Sequence, residues 1–258
     1  MRIAVVTGAS SGLGREYIKE INRLETDIDE IWAVARRRER LVSLGESSRI
    51  PVRAFPLDLT KKESIEEFKA ALERERPDAA ILINAAGFGK IGDFSSMDLG
   101  ESDRMIELNC RAAVDMTYVC LPYMKAGARI MEICSTAGFQ PFQYLSVYAA
   151  SKAFLYRFTR ALRVELFSRR IKVTAVCPYW IKDTEFIPTA KDTFGGGHAV
   201  RHFPLASHVR SVAAVSYNDS RIGLPVSAPG VVCFVHRIVA KFVPSELMMG
   251  IWELLRRA

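Results

Sequence analysis

The sequence has few of the residues that metal sites and disulfide frameworks require. It contains five cysteines and four histidines among 258 residues. The cysteines are scattered and form no CxxC pair, and the histidines show no ligand spacing. We therefore expect reduced structural thiols and no bound metal.

Long apolar runs are also missing. A membrane span needs about 20 consecutive apolar residues, and the nearest candidate, residues 231–243, is interrupted by His236, Arg237 and Lys241. The chain enters an apolar segment at Arg2, without the charged, apolar and cleavage regions of a signal peptide. These two absences predict a cytoplasmic protein with no transmembrane segment.

The formal net charge is +7. The basic residues do not form one stripe and no nucleic-acid-binding motif accompanies them, so we expect no nucleic acid partner. The densest basic cluster lies within residues 36–40, directly after an apolar segment of strand length. A cluster at that place suits a small bound anion.

Apolar segments of strand length alternate with segments of helical period. Strands are predicted at 2–7, 30–36, 51–57, 79–84, 128–134 and 171–177, with a short one near 224–227. Such strands, apolar on both faces, indicate the α/β class with helices on both faces of a mostly parallel seven-stranded sheet. We predict one doubly wound domain over residues 1–258, with a long loop at about 178–205 and a helical extension at about 229–256.

A glycine-rich turn follows the first predicted strand and opens the first helix. It reads Thr7-Gly8-Ala9-Ser10-Ser11-Gly12-Leu13-Gly14. Gly8 permits a tight turn, and Gly12 and Gly14 let the backbone and the helix N-terminus approach a pyrophosphate. We predict that Ser10, Ser11 and Leu13 contact the same cofactor. A plain tight connection between strand and helix is the alternative.

The TGxxxGxG spacing resembles the short-chain dehydrogenase/reductase family, which has a Rossmann fold. Asp58 and Leu59 follow the third strand, where the resemblance implies contact with an adenine. The run Asn84-Ala85-Ala86-Gly87 is similar to the family's NAG-type motif, with Ala85 where a second asparagine is commoner. The resemblance extends from Thr7 to about residue 186.

The end of the second strand bears on which dinucleotide binds. NAD-specific sites commonly place an acid there for the ribose 2′-hydroxyl, whereas this chain has Arg36 and Arg37. A guanidinium grips a 2′-phosphate that a carboxylate would repel. We predict NADP(H), with Arg36 as the main contact and Arg37 and Arg15 as helpers. The alternative is that these arginines are only exposed charges at a helix start.

Tyr148 and Lys152 form a YxxxK pair on a predicted helix, where a four-residue step places both side chains on one face. A nearby ammonium lowers the pKa of a phenol, so Lys152 is expected to bring Tyr148 toward the range of acid/base chemistry. Many helices contain this pair by chance, and an amphipathic surface ring is the alternative for Tyr148.

Two further residues, Ser135 and Asn109, support a catalytic interpretation of the Tyr148–Lys152 pair. Ser135 lies just after the fifth strand, and Asn109 lies inside the long preceding helix. The order Asn, Ser, Tyr, Lys is similar to the family's catalytic set. The resemblance implies that Tyr148 donates a proton, Ser135 stabilises the substrate oxygen, Lys152 tunes Tyr148 and holds the ribose, and Asn109 anchors a relay water at a local helix break. Singly, Asn109 reads as a polar helix residue and Ser135 as a cap.

The run Pro178-Tyr179-Trp180-Ile181-Lys182-Asp183-Thr184 departs from the family pattern. Tyr179 stands where the family usually has glycine, and Thr184 falls one position late unless Asp183 takes its place. The resemblance still implies that Pro178 and Ile181 contact the nicotinamide end of the cofactor, with Thr184 assigned the same role.

Aromatic residues crowd the segments that select substrate in similar proteins. They are Phe139, Phe142, Tyr144, Tyr179, Trp180, Phe186 and Phe194, with Leu145 among them. Such a wall suits a small-molecule carbonyl or alcohol with a bulky apolar body, such as a steroid, a bile acid or an aromatic or long-chain ketone. Packing into the core or a subunit contact is the alternative.

Three other functions compete with an NADP(H)-dependent oxidoreductase. A nucleotide-sugar epimerase usually carries TGxxGxxG and a larger C-terminal domain. A non-catalytic NADP-binding sensor or scaffold tends to lose the tyrosine or the lysine, and this sequence keeps both. Nucleic acid binding has no motif. The resemblance also implies a homodimer or homotetramer formed by helices 101–126 and 146–168, and the apolar stripe near 231–242 indicates packing or, alternatively, a membrane-surface helix.

Overall fold

The computed structural model describes residues 1–193, 199–200, 203 and 205–257. Within them a seven-stranded sheet has the order β3-β2-β1-β4-β5-β6-β7. Every neighbouring pair is parallel, which confirms the predicted α/β fold. The strands are β1 Arg2–Thr7, β2 Glu30–Val34, β3 Val52–Phe55, β4 Asp78–Asn84, β5 Arg129–Ile133, β6 Lys172–Val176 and β7 Val226–Ser227.

The strand order reverses between β1 and β4, so the connections leaving these two strands diverge to opposite sides. Doubly wound sheets open a crevice at the carboxyl ends of the strands at this point. The glycine turn, Asp58, the run 84–87, Ser135 and the run 178–184 all follow strand ends, and the topology therefore gathers them along one edge.

Ten α-helices accompany the strands in the described part of the chain. They are α1 Gly12–Leu24, α2 Arg38–Glu46, α3 Lys62–Glu75, α4 Leu99–Ile106, α5 Ala112–Cys120, α6 Ser146–Glu165, α7 Phe186–Lys191, α8 Val209–Ile222, α9 Val231–Phe242 and α10 Ser245–Arg257. No described helix is long and apolar enough to cross a membrane.

Two details differ from the predicted elements. The helix expected over 101–126 is divided by a π-helical turn at Glu107–Arg111, which lies between α4 and α5. The loop expected over 178–205 contains a short helix, α7, which accommodates Pro188 in its first turn because the amide N–H is unpaired there. Phe194 and the three glycines after it lie outside the described residues.

The sheet is buried on both faces because successive side chains along its strands point to opposite faces and most of them are apolar. One face packs Val5, Trp32 and Leu82 against α3 and α5. The other packs Ala4, Val6 and Ile83 against α1 and α8. A third cluster lies above the carboxyl edge, where Trp252 from α10 meets Phe142 with ring centroids 5.1 Å apart. The C-terminal helix thus covers the edge that carries the motifs.

Candidate active site

A cleft of about 480 Å³ follows the carboxyl edge of the sheet. At one end it is lined by residues of the glycine turn and by Arg36, Arg37, Asp58 and Leu59. Ala85, Ala86 and Gly87 line its middle, and Ser135, Tyr148, Lys152, Pro178, Ile181 and Thr184 line the other end. Residues predicted separately for cofactor binding and for catalysis therefore share one cavity.

The glycine turn needs its glycines for two different reasons. Gly8 and Gly12 have φ values of +65° and +52°, which side chains disfavour. A Cβ at Gly8 would also lie 2.7 Å from the Ala85 carbonyl oxygen, and one at Gly14 would clash with the Gly8 carbonyl. Gly14 is buried below the turn rather than on the cleft wall, so it brings α1 against the strand. The N-terminus of α1 is left facing open space beside Ser10, Ser11 and Leu13.

The arginines at the basic end of the cleft differ in their contacts, and Arg37 has specific partners there. Arg37 donates to the Ser11 hydroxyl at 2.8 Å and to the Ser10 hydroxyl at 3.1 Å. Its guanidinium also contacts Glu185 at 2.8 Å. Arg36 lines the cleft, whereas Arg15 is exposed on α1 and does not. Sequence reasoning missed Glu185, because only the tertiary fold brings it to Arg37.

Asp58 remains ionised beside these arginines. Its partial burial raises the pKa, but hydrogen bonds from the Thr60 hydroxyl and amide, at 2.8 and 3.1 Å, lower it, as do the charges of Arg36 and Lys61. The net result is a pKa below the ordinary value of aspartate. A carboxylate at this edge accepts hydrogen bonds from a donor group in the cleft.

Asn84 takes a place other than the cleft wall. Its side-chain amide donates to Glu132 at 2.9 Å, to Thr117 at 2.9 Å and to the Ala113 carbonyl at 3.2 Å. These partners lie beneath the cleft between β4, β5 and α5. A side chain at the end of a strand can point toward the cleft or toward one face of the sheet. The Asn84 side chain points toward the face that packs against α5. Ala85, Ala86 and Gly87, which follow Asn84, form the lining.

Three predicted catalytic side chains meet at the other end. The side chains of Tyr148 and Ser135 lie together at this end of the cleft, close enough for Ser135 to act on the pKa of the phenol. Lys152 Nζ lies 5.9 Å from the centre of the Tyr148 ring and donates to the Ile133 carbonyl at 2.7 Å. Ser135 is held by accepting from the Ala137 amide at 3.1 Å. All three side chains are buried at the cleft.

The pKa directions differ from the expected lowering of Tyr148. Burial raises the pKa of the Tyr148 phenol, and the Ser135 side chain opposes this rise without reversing it. Burial also lowers the pKa of Lys152, against the opposing influence of Cys134, Cys110 and Glu132. The site therefore favours a neutral phenol, which is the protonation state of a proton donor.

Asn109 lies directly behind this group, in the π-helical turn, so the expected helix break is present. Its side-chain oxygen accepts from the Phe88 amide at 3.0 Å, and its nitrogen donates to the Phe88 carbonyl at 2.8 Å and to Ser151 at 3.0 Å. A Cβ at Gly87 would lie 2.9 Å from Asn109 Oδ1 and 3.4 Å from Lys152 Nζ. The amide nitrogen of Asn109 is thus used by two partners, the loop after β4 at Phe88 and the Ser151 hydroxyl of α6.

In the segment after β6, Thr184 and Asp183 take different positions relative to the cleft. Thr184 lines the cleft, and its hydroxyl donates to the Ile181 carbonyl at 3.2 Å. Asp183 instead accepts from the Val209 amide at 2.8 Å at the start of α8. The Tyr179 amide donates to Cys233 at 3.2 Å, and Tyr179 does not have the positive φ that would favour glycine.

Most of the predicted aromatic wall lines the cleft. Phe142, Leu145, Tyr179, Trp180 and Phe186 do so, together with Phe88 and Trp252, which sequence reasoning missed. Phe139 packs against Tyr156 with ring centroids 5.3 Å apart, and Tyr144 lies beneath Arg256, so neither is on the wall. Phe194 lies outside the described residues. No spacing signal marks Trp252, since it comes from α10.

A doubly wound sheet with this glycine turn and this Ser–Tyr–Lys cluster defines a nucleotide-dependent oxidoreductase of the short-chain type. The sequence model of the short chain dehydrogenase family matches residues 2–193, and the chain belongs to that family. In the described part of the chain no group of histidine, cysteine and carboxylate side chains is arranged to hold a metal ion.

The proteins similar to the chain include two relatives and one solved structure. Sulfoacetaldehyde reductase 2 of Chromohalobacter salexigens is 33% identical over 193 residues, covering 71% of this chain and 74% of that protein. The NADP-dependent 3-hydroxy acid dehydrogenase YdfG of Salmonella typhi is 32% identical over 187 residues, with the same coverage. A short-chain dehydrogenase from Sphingobium yanoikuyae in complex with NADPH has a TM-score of 0.79 and 26% identity, covering 96% and 95% of the two chains.

Proposed function

We propose that this protein interconverts a carbonyl and a secondary alcohol with NADP(H), acting on a substrate with a bulky apolar body. The observation that carries the proposal is the cleft itself. It joins a phosphate-sized cradle and basic side chains to a buried Tyr148–Ser135 pair, and aromatic side chains enclose the space next to that pair.

The residues present fit a dinucleotide. Glycines at 8 and 12 leave room beside the N-terminus of α1, where backbone amides attract phosphate. Arg36 and Arg37 would hold a 2′-phosphate, Asp58 and Leu59 the adenosine, and Lys152 the second ribose. Ile181 and Thr184 would hold the carboxamide. When bound, the nicotinamide supplies or accepts the hydride.

The chemistry assigned to the chain is proton transfer and charge stabilisation. Tyr148 holds a proton at its phenol oxygen and donates it to the substrate carbonyl oxygen during reduction. Ser135 donates a hydrogen bond to the same oxygen and stabilises its developing negative charge. The positive charge of Lys152 stabilises the Tyr148 oxygen once it has given up its proton. Asn109 would anchor a relay water through its backbone, because its side-chain donors are already used.

We expect Arg36→Ala to raise the KM for NADPH by about 10- to 100-fold, the value of one charge-assisted hydrogen bond to phosphate. The KM for NADH should stay within about twofold, since NADH has no 2′-phosphate. Initial rates with each cofactor provide the measurement. Arg38→Ala is the matched control, because Arg38 is exposed on α2 and does not line the cleft. A wild-type protein that prefers NADH would contradict the assignment.

A substrate panel tests the reaction. We expect NADPH oxidation with bulky aromatic, steroidal or long-chain ketones, at a kcat/KM at least about tenfold above that for small polar sugars, because the cleft wall is mainly aromatic. The measurement is the decrease in NADPH absorbance in the presence and absence of each ketone. Turnover restricted to small polar sugars would refute the proposed substrate class.

We also propose a homo-oligomer that uses the outer faces of α5 and α6. Tyr118 on α5 is 76% exposed and Val164 on α6 is 76% exposed. Phe154 and Phe158 on α6 stack with centroids 6.5 Å apart, and Phe154 is itself half exposed. Exposed aromatic and aliphatic side chains on adjacent helices favour a subunit contact over water.

A further inference from the structure

The aromatic half of the cleft contains charged side chains that the proposed chemistry does not use. Lys90, Glu101 and Arg104 line it, from the loop after β4 and from α4. The remaining charged lining residues lie at the nucleotide end, apart from Lys152 in the catalytic group. The charged residues at the nucleotide end and Lys152 already have functions in the proposal above, whereas Lys90 and Arg104 have none.

Lys90 is the more unusual of the two because it is buried. Its side chain is 9% exposed, and its ammonium donates to the Asp192 backbone carbonyl at 2.6 Å. The nearest carboxylate among the described residues is Glu101, whose oxygen is 3.9 Å from Nζ and thus beyond hydrogen-bonding distance. An ammonium has three N–H donors, and burying it with few partners is costly. Among the residues that the structure describes, Lys90 therefore has capacity for a further acceptor.

The surrounding charge is positive. Glu101 is shared, since it also pairs with Arg104 at 3.3 Å. The Arg104 guanidinium lies 5.9 Å from the centre of the Phe88 ring, which is itself part of the cleft wall. Two cations with one carboxylate between them leave one net positive charge at this end of the cleft. A low-polarity wall around that charge strengthens its attraction for an anion.

The backbone beside Lys90 packs close to Tyr148, and Lys90 and Tyr148 both line the cleft. Gly89 directly precedes Lys90, and a Cβ at Gly89 would lie 2.8 Å from Tyr148 Cδ2 and 3.1 Å from Phe186 Cζ. The backbone that carries Lys90 thus packs against the Tyr148 ring. A ligand whose carbonyl meets Tyr148 also passes the neighbourhood of Lys90.

We propose that Lys90, assisted by Arg104, binds a carboxylate of the substrate, whose apolar body lies against the aromatic wall. The preferred substrate is then an aryl or long-chain keto acid rather than a neutral ketone. This inference rests on the proposed carbonyl reduction and adds a charge requirement to it.

A structural role for Lys90 makes a different prediction. The Lys90 ammonium joins the loop after β4 to the segment after α7, where the Ile91 amide also donates to the Ala190 carbonyl at 2.8 Å. Thr193 donates to the Ile91 carbonyl at 2.7 Å in the same junction. If Lys90 served only this junction, its loss would impair turnover of charged and neutral substrates equally.

The test compares a series of aryl keto acids of increasing chain length with their methyl esters. Acid and ester share the apolar body and the ketone, and differ in the negative charge. With wild-type protein and NADPH we expect at least one acid to exceed its ester about 10- to 100-fold in kcat/KM. Lys90→Met should bring that ratio close to one, because the acid loses much more kcat/KM than its ester, and Lys90→Arg should retain most of the ratio. Arg104→Gln should reduce the ratio less.

Two results would overturn the inference. One is equal kcat/KM for every acid and its ester with the wild-type protein. The other is an equal loss for acid and ester in Lys90→Met, which would indicate the structural role. Absence of turnover for both members of every pair would count against the proposed reaction instead. Calorimetric binding of the corresponding hydroxy acids then tests Lys90 alone: weaker binding to Lys90→Met supports the site, and equal binding refutes it.

Discussion

Tyr148→Phe is expected to lower kcat by about 10²- to 10⁴-fold, the usual contribution of a positioned general acid. The phenol is buried beside Ser135 and is held neutral because burial raises its pKa. Phenylalanine keeps the ring that packs against Phe186, with centroids 5.5 Å apart, and removes only the proton donor. Steady-state kinetics with the best ketone of the panel give the measurement.

Cofactor affinity separates this loss from misfolding. NADPH binding, followed by its fluorescence, should change by no more than about twofold, since a single hydroxyl toward the cofactor contributes little beside the phosphate contacts. Tyr156→Phe is the control, because Tyr156 lies on the same helix and packs against Phe139 away from the cleft. Wild-type turnover in Tyr148→Phe would remove the basis for the proposed acid/base role.

Glu132→Gln is expected to raise stability in mildly basic solution. Glu132 is fully buried on β5, and burial raises its pKa from 4.5 to about 8, while hydrogen bonds from Asn84 and Thr117 and the charge of Lys152 act in the opposite direction. Between those two pH values the folded protein keeps a proton on Glu132 that the unfolded chain releases. The contribution of Glu132 to the free energy of unfolding is therefore fully present below pH 4.5 and is lost as the pH rises from there through 8.

The expected magnitude follows from the size of the shift. Each unit of pKa difference is worth about 1.4 kcal/mol, so the wild-type protein should lose about 4 kcal/mol from this group by pH 8. Glutamine cannot ionise and avoids the loss. Its amide also supplies a donor near Asn84 Oδ1, which, like Glu132 Oε2, is buried without a partner among the described residues.

Urea unfolding at pH 5 and pH 8 measures the difference. Glu132→Gln and wild type should be similar at pH 5, and the variant should be several kcal/mol more stable at pH 8. Glu66→Gln is the control, because Glu66 is exposed on α3 and its replacement should leave the wild-type slope unchanged. Identical pH slopes for Glu132→Gln and wild type would show that Glu132 is ionised in the folded protein.

The sheet and the candidate catalytic trio of Ser135, Tyr148 and Lys152 could be predicted from the sequence because their signals are local. Strands buried on both faces read as continuous apolar runs, and a step of four residues places Tyr148 and Lys152 on one helix face. Ser135 follows a strand end, and parallel strands bring all their carboxyl ends to one edge. The expected lowering of the Tyr148 pKa was wrong in direction, because the degree of burial depends on packing that no local pattern records.

Other parts of the site depend on residues far apart in the chain. Trp252 reaches the cleft only because α10 folds back over the carboxyl edge. Glu185 contacts Arg37 across 148 positions of sequence. Asp183 and Thr184 are adjacent and both carry an oxygen that can accept a hydrogen bond, and only the position of α8 decides that Asp183 accepts from the start of that helix while Thr184 remains at the cleft.

The sequence by itself determined the fold class, the glycine turn and the order of the catalytic side chains, since each follows from the periodicity of a single strand, helix or turn. Only the tertiary structure decided that Lys90 is buried beside the aromatic wall and that Asn84 and Glu132 are joined by a buried hydrogen bond beneath the cleft. Burial and charge pairing depend on which distant segments pack together. A single chain segment contains no record of its neighbours in space.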